Sequence, residues 1–338
     1  MNHKLINRVQ FLNKSKLFLC GLLIKVLIIL SVKPFISYNL FLPFINNFIE
    51  KFSFDPWTSF LVSGGDINSF PYGIIMLIGY SPLTFVGNFL DNYFLDLDFF
   101  ELGFKFTSLF YDYLLLLVLS FFTKNTSSKI LVITYWLSPM VIYTTYIHGQ
   151  IDILPISLLM LSVLFIKNEK FIIAGLILSF SVISKFSMLI ALPFIFIYLI
   201  KRKGLNISLM KFLISFLLII SALFLPYIFS NGFTQMVLGT RELNRLYSLY
   251  LSYGDNLKLY LIPVSYIFSL FLILRLKRIT QDLFILSLGL GFFAILVFIP
   301  PATAWTIWII PFLVFYQITS KKDLFLITFI YSFIVILN

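Results

Sequence analysis

The residues able to do chemistry sit in a few polar passages of an otherwise apolar chain. One runs from Phe54 to Gly73, FDPWTSFLVSGGDINSFPYG, and carries two carboxylates, Asp55 and Asp66, a glycine pair at Gly64-Gly65, and Trp57 and Tyr72. Another is the turn His148-Gly149-Gln150-Ile151-Asp152. A third holds Arg241, Glu242 and Arg245, and Lys185 stands between them in an apolar stretch. A carboxylate at an apolar boundary can have its pKa raised toward a value useful for taking a proton. A guanidinium offers paired hydrogen bonds to a phosphate. Gathered in one place, such groups suit a substrate with a lipid tail in the bilayer and a charged head at its surface. Each also has a plainly structural reading. Asp55 precedes Pro56, a common helix start, and Asp66 follows two glycines, as turn residues do. His148 and Asp152 fit caps at a helix junction, Lys185 fits a side chain snorkelling to the membrane surface, and Arg241 with Glu242 fits a solvated ion pair.

The elements that must position these groups are membrane helices. The 338 residues are 60% hydrophobic and 12% charged, with a mean hydropathy of +1.01, and a soluble chain of this length needs more charged surface. Apolar runs of about 15 to 20 residues, the length that crosses a hydrocarbon core, recur from end to end. Helices satisfy their own backbone hydrogen bonds in lipid, and the short alternating strands of a barrel are not visible. The expected fold is therefore an all-α polytopic membrane protein with about 10–11 transmembrane helices, forming one integral membrane domain over residues 1–338. No internal repeat and no soluble domain is evident.

The net charge of +11 would point to nucleic acid in a soluble protein. Here the basic groups cluster beside apolar runs: Lys4/Arg8/Lys14/Lys16, Lys124/Lys129, Lys167/Lys170, Lys201-Arg202-Lys203 with Lys211, Arg275/Lys277/Arg278 and Lys321-Lys322. That is the positive-inside pattern. It puts all six clusters and the N-terminus in the cytoplasm of a multi-pass protein of the cell (plasma) membrane, and leaves no nucleic-acid partner to expect. Cys20, the single cysteine, excludes a disulfide framework or a Cys-based metal site.

With this topology, residues 1–16 are a cytoplasmic tail and Leu17–Ile36 is the first span. Residues 41–103 form a long first extracytoplasmic loop with interfacial helices, Ile74–Leu90 among them, because Gly79 and Ser81-Pro82 interrupt that run. Phe104–Phe122 crosses back, Ile130–Ile147 goes out to the His148–Asp152 turn, and Ile153–Ile166 returns. Phe171–Leu199 is a hairpin turning near Ser184-Lys185-Phe186. Phe212–Phe229 leads to the loop Ser230–Leu257, and Leu259–Leu274, Leu283–Ile299, Trp305–Ile318 and Leu324–Leu337 complete the chain. Most carboxylates then fall outside, together with Lys185, Arg241, Arg245 and His148. Asp112 falls inside a span, where an ionisable group is costly and is functional or paired; Lys105, seven residues earlier, is a candidate partner. Trp305 and Trp308 fit an aromatic belt.

The stretch Ile142–Ile200, IYTTYIHGQIDILPISLLMLSVLFIKNEKFIIAGLILSFSVISKFSMLIALPFIFIYLI, resembles the polyprenyl-phosphate-sugar-dependent glycosyltransferases of the GT-C superfamily. It is most similar to the branch containing the first mannosyltransferase of GPI-anchor assembly and its bacterial mannosyltransferase relatives. Asp55 with Phe60 and Ser69-Phe70-Pro71-Tyr72 resembles that family's first loop. Gly103-Phe104-Lys105-Phe106 with Asp112 resembles the start of its second span, and Trp308-Ile309-Ile310-Pro311-Phe312 its late Trp–Pro helix. The resemblance implies transfer of a sugar, a hexose such as mannose, from a lipid-phosphate donor to a hydroxyl on a glycan or lipid acceptor at the outer face, among membrane lipids. It implies Asp55 as general base; the outer polar residues His148, Asp152, Lys185, Arg241, Arg245 and Asp66 are then the candidate substrate-binding residues. The GPI-assembly enzyme carries an Asp-x-Asp type motif in its first loop, where this sequence has Asp55-Pro56-Trp57; the only such spacing here is Asp96-Leu97-Asp98. No residue set is assigned as a metal site and no cofactor follows from the sequence, with a divalent Mn or Mg ion left open. Two other classes remain beside this one: a transporter or flippase, which calls for charged or broken-helix sites near the bilayer midplane, and a non-catalytic subunit of a glycolipid or polysaccharide assembly system.

Overall fold

The computed structural model describes residues 15–94, 98–123, 128–204, 206–254, 257–299 and 303–320. The expected tail before residue 15, the run Leu324–Leu337, and Asp96 of the Asp-x-Asp spacing lie outside the described residues. The rest is a helical bundle whose only described sheet is a two-stranded hairpin, Tyr250–Tyr253 paired with Leu257–Tyr260. Helices dominate because long apolar runs have no other way to satisfy their backbone groups away from water.

Three helices, Ile74–Asp91, Phe99–Ser120 and Ile207–Tyr227, are long and apolar enough to cross a membrane. A fourth span results if Lys129–Trp136 and Pro139–Ile147 are taken together across a 42° bend. The sequence suggested one straight run there. Pro139 forces the break, because it has no backbone donor and disfavours helix at the residue before it. Five shorter apolar helices, Ile153–Lys167, Phe171–Ser184, Leu261–Arg275, Gln281–Leu296 and Ile310–Thr319, pack into the same bundle. The expected interruption of Ile74–Leu90 is absent. The helix runs through Pro82, with Ser81 and Thr84 donating their hydroxyls to Leu77 and Tyr80 carbonyls. It lies antiparallel and close against Phe99–Ser120, and Tyr80 meets Ser108 across the contact.

The two ends of the bundle differ in charge. At one end the basic connectors meet. Lys201 donates to the carbonyls of Leu274 and Leu276, Arg202 pairs with Glu169, and Lys167 reaches the Phe121 carbonyl. At the other end the polar passages meet. Gly73 donates to the Ser184 carbonyl, Asp152 holds Lys185, and Ser230 donates to Asp55. The expected break near Ser184-Lys185-Phe186 is present: the Phe171–Ser184 helix ends, Lys185 is extended, and a tighter helical turn, Phe186–Ala191, leads into Leu192–Lys203.

Asp112 is paired, but not with Lys105. Its partner is Lys25 of the Lys16–Ser31 helix, 2.6 Å away, and neither side chain is exposed at all. Tyr135 and Tyr146 donate to the same carboxylate at 2.8 and 2.5 Å, and the Lys25 ammonium sits 3.4 Å from the Trp136 ring centroid. Lys105 instead pairs with Glu101 and donates to the Ile29 and Val32 carbonyls, satisfying the end of the first helix. An unpaired charge left in such a place is strongly destabilising, whereas removing both charges together costs much less. Lys25→Met is therefore expected to lower stability by about 3–5 kcal/mol, and adding Asp112→Leu to restore a large part of it. Thermal unfolding of the detergent-solubilised protein measures both; a double variant no better than the single one would refute the pairing as the source of the loss.

Candidate functional site

The site is built around Asp152, which the bundle buries completely at the start of the Ile153–Lys167 helix. Its carboxylate does not cap that helix. It collects donors from three distant segments: Tyr72 Oη at 2.9 Å, Trp308 Nε1 at 2.7 Å, and Lys185 Nζ at 3.1 and 2.8 Å on its two oxygens. Gln150 Nε2 in turn donates to the Tyr72 hydroxyl at 3.0 Å. The helix N-terminus below adds partial positive charge that favours the anion.

Local sequence explains how each group arrives. Gly149 takes φ 83°, a backbone state that side chains with a Cβ resist, and this turns the chain from His148 toward Gln150 and Asp152. At Gly73 a Cβ would lie 1.9 Å from the Ile183 carbonyl oxygen, so only glycine lets the first loop press against the end of the Phe171–Ser184 helix. That contact holds Tyr72 beside the Lys185 break. Trp57 then locks Tyr72 from behind, donating Nε1 to its carbonyl at 3.2 Å.

Lys185 does not snorkel; it is 3% exposed. Its ammonium lies 4.8 Å from the Tyr72 ring centroid, 5.2 Å from Trp308 and 5.7 Å from Trp305, in an aromatic cage. Trp305 and Trp308 stack at 5.2 Å and are buried, so they line the site and do not form a lipid-facing belt. The cage opens toward the turn Arg241–Tyr247. Glu242 brings an oxygen to 3.9 Å from Lys185 Nζ, and the Arg245 guanidinium lies 5.4 Å from the Trp305 centroid. Two cations thus face one indole ring. Burial, followed by the Asp152 charge, pushes the Tyr72 phenol well above its usual pKa, so it stays a donor. Burial also lowers the His148 pKa, partly offset by Asp152, and its buried Nδ1 has no hydrogen-bond partner among the described residues.

Asp55 occupies a neighbouring position. It caps the Pro56–Val62 helix through Thr58 N at 3.2 Å, and the same oxygen accepts from Ser230 at 2.8 Å. Its other oxygen takes no hydrogen bond among the described residues, and the side chain lines an open groove with Lys51, Ser53, Thr58, Ser59, Val62 and Ser63. Trp57, two residues on, links it to Tyr72 and so to Asp152. Asp66 is exposed and closes a turn on Asn68 N and Nδ2. Arg241 is exposed and has no ion-pair partner among the described residues. The structure therefore brings Asp152, Lys185 and Arg245 together, with His148 beside them; Asp55 stands one residue layer away, and Asp66 and Arg241 stand apart. Tyr72, Gln150, Glu242 and Trp308 were not picked out as site residues by type and spacing. Trp308 carried a signal, since it opens the Trp-Ile-Ile-Pro stretch, but its reach to Asp152 across more than a hundred residues is a tertiary fact. Among the described residues, no three His, Cys, Asp or Glu side chains stand close enough to hold a metal ion.

The His148 shift has a sign. A histidine held neutral by burial supports the fold fully above its ordinary pKa. That support is lost as the pH falls through the lowered folded-state value, because the unfolded chain takes up the proton more readily. The thermal midpoint should thus drop between neutral pH and pH 5 by more in wild type than in His148→Gln, as followed by unfolding scans in detergent. Equal drops in the two proteins would show that other groups set the acid limb.

Residues 70–315, well over half of the chain, match the family model described as Glycosyltransferase family 87. No curated protein matches the chain.

Proposed function

The chain belongs to glycosyltransferase family 87, a membrane family of the GT-C type, and on that premise we propose that it moves a hexosyl group, with mannosyl the first candidate, from a polyprenyl-phosphate donor to a hydroxyl acceptor at the extracytoplasmic face of the cell membrane. The observation that carries this reading is the convergence of Lys185 and Arg245 on Trp305, at the end of the bundle opposite the basic connectors. A sugar phosphodiester brings one negative charge there and leaves as a phosphate monoester. The departing group needs cations more than it needs an acid.

In this reading Arg245 meets the donor phosphate, and Lys185 supplies a fixed positive charge behind it. The acceptor oxygen attacks the anomeric carbon as the bond from that carbon to the phosphate oxygen breaks, and the electron pair stays on phosphate. Asp55 takes the acceptor proton on the oxygen that faces the groove. Asp152 is unsuited to that task, because three donors already occupy its oxygens; its role is to hold Lys185, Tyr72 and Trp308 in register. Membership of a transferase family favours this chemistry over transport or a non-catalytic assembly role.

The test is sugar transfer by purified protein in lipid, offered a panel of labelled polyprenyl-phosphate hexoses. Asp55→Asn is expected to cut kcat by about 10²–10⁴-fold, the range of a lost general base, at unchanged folding. Arg245→Gln, at an exposed position, should chiefly raise KM for the donor. Transfer that survives Asp55→Asn moves the base elsewhere, and no transfer from any donor overturns the reading.

A further inference from the structure

The hairpin Tyr250–Tyr260 has two chemically different faces, and the register sorts them. Tyr250 pairs with Tyr260, Leu251 with Leu259, Ser252 with Lys258, and Tyr253 with Leu257. Paired residues point the same way and successive ones alternate. One face is therefore Tyr250, Tyr260, Ser252 and Lys258. The other is Leu251, Leu259, Tyr253 and Leu257, with nothing polar but a phenol tip.

On the polar face Tyr250, Ser252 and Lys258 are also exposed, and Tyr260 makes the contact with the rest of the chain. The Lys258 ammonium lies 4.5 Å from the Tyr250 ring centroid, and Tyr260 packs edge-on against Tyr247 at 5.2 Å. Tyr247 closes the turn that carries Arg241 and Arg245. Among the described residues nothing covers the apolar face: Leu251 is 48% exposed, Leu259 38%, Tyr253 58% and Leu257 71%. A two-stranded hairpin is marginal in water on its own, and side chains left exposed on this face add no burial to steady it.

We propose that this hairpin is an interfacial anchor, its Leu251/Leu257 face seated in the lipid at the site end of the bundle and its Ser252/Lys258 face turned to the headgroups. The occupant is the bilayer because the face is continuous with a lipid-facing stripe. Leu261 donates to the Leu249 carbonyl, so the hairpin runs directly into the Leu261–Arg275 helix, which exposes Val264, Ile267, Phe268 and Phe271 at helical spacing. Tyrosines and a lysine on the opposite face match the composition of a membrane–water boundary, and Lys258 complements headgroup phosphates. The contact of Tyr260 with Tyr247 then holds the Arg241–Tyr247 turn at headgroup depth. This inference rests on the chain being a membrane protein and not on the reaction proposed above.

Depth-dependent quenching tests it. Leu251→Cys, Leu257→Cys and Ser252→Cys are made in full-length protein carrying Cys20→Ser, which removes the exposed native thiol. Each is labelled with an environment-sensitive fluorophore and placed, one molecule per disc, in phosphatidylcholine–phosphatidylglycerol nanodiscs. Probes at 251 and 257 should be quenched several-fold more by lipids spin-labelled near the headgroup than by aqueous iodide, and the probe at 252 the reverse. Iodide reaching 251 and 257 as readily as 252 would overturn the anchor. So would shielding from both quenchers, found only in liposomes crowded enough for two copies to meet, which would give the face to a second molecule. Lipid-like shielding that appears only after polyprenyl phosphate is added would assign it to the donor's chain. All three readouts are independent of catalysis.

Discussion

A carboxylate removed from water must be surrounded by donors or lose its charge, and Asp152 shows what that requirement does to a fold. Its side chain is wholly buried, so the chain brings it an ammonium, a phenol and an indole. Those three groups come from the first loop, the hairpin break and the late tryptophan turn. The position of each is therefore tied to the same two oxygens. The aromatic cage around Lys185 is a by-product of that demand, since two of the Asp152 donors present their rings to the cation they share it with. What opens onto the cage, Glu242 and Arg245, is exposed or half-exposed and free of that constraint.

The same physics operates a second time, deeper in the bundle, with Lys25 and Asp112. There the carboxylate accepts from two tyrosines and the ammonium lies over an indole. The resemblance of the two clusters is chemical and not functional. Lys25 and Asp112 are both wholly buried, and their partners Tyr135 and Tyr146 lie on the two arms of the bent span. The pair fixes the bend that carries His148 and Asp152 outward. One ion pair shapes the scaffold, and the other shapes the candidate site.

Much of this was legible in the residues. Apolar runs named the helices, the placement of lysines and arginines named one end, and the isolated Lys185 marked the break in its hairpin. The polar residues were also recognisable as a group, and the stretch Ile142–Ile200 with three shorter ones resembled the superfamily to which the chain belongs. Partnership was not legible. Lys105 is seven residues from Asp112 on one helix, yet Lys25 takes the carboxylate, because packing of different helices decides who meets in a dry interior. Trp308 looked like a belt residue for the same reason: hydropathy cannot distinguish an indole facing lipid from one facing a buried anion. Asp55 shows a third limit, since a helix cap and a proton acceptor use different oxygens of one carboxylate, and sequence does not count oxygens.

The donors of Asp152 lie at positions 72, 185 and 308, and that spread fixes an order of events during synthesis. Lys25 and Asp112, both early in the chain, can find each other while the later helices are still unmade. Asp152 can find its first two partners soon afterwards, but its third donor, Trp308, lies well over a hundred residues beyond Lys185. Until Trp308 arrives the nascent protein holds an incompletely coordinated charge at the edge of the lipid. Completion of the site thus requires segments from Tyr72 to Trp308 to have packed together.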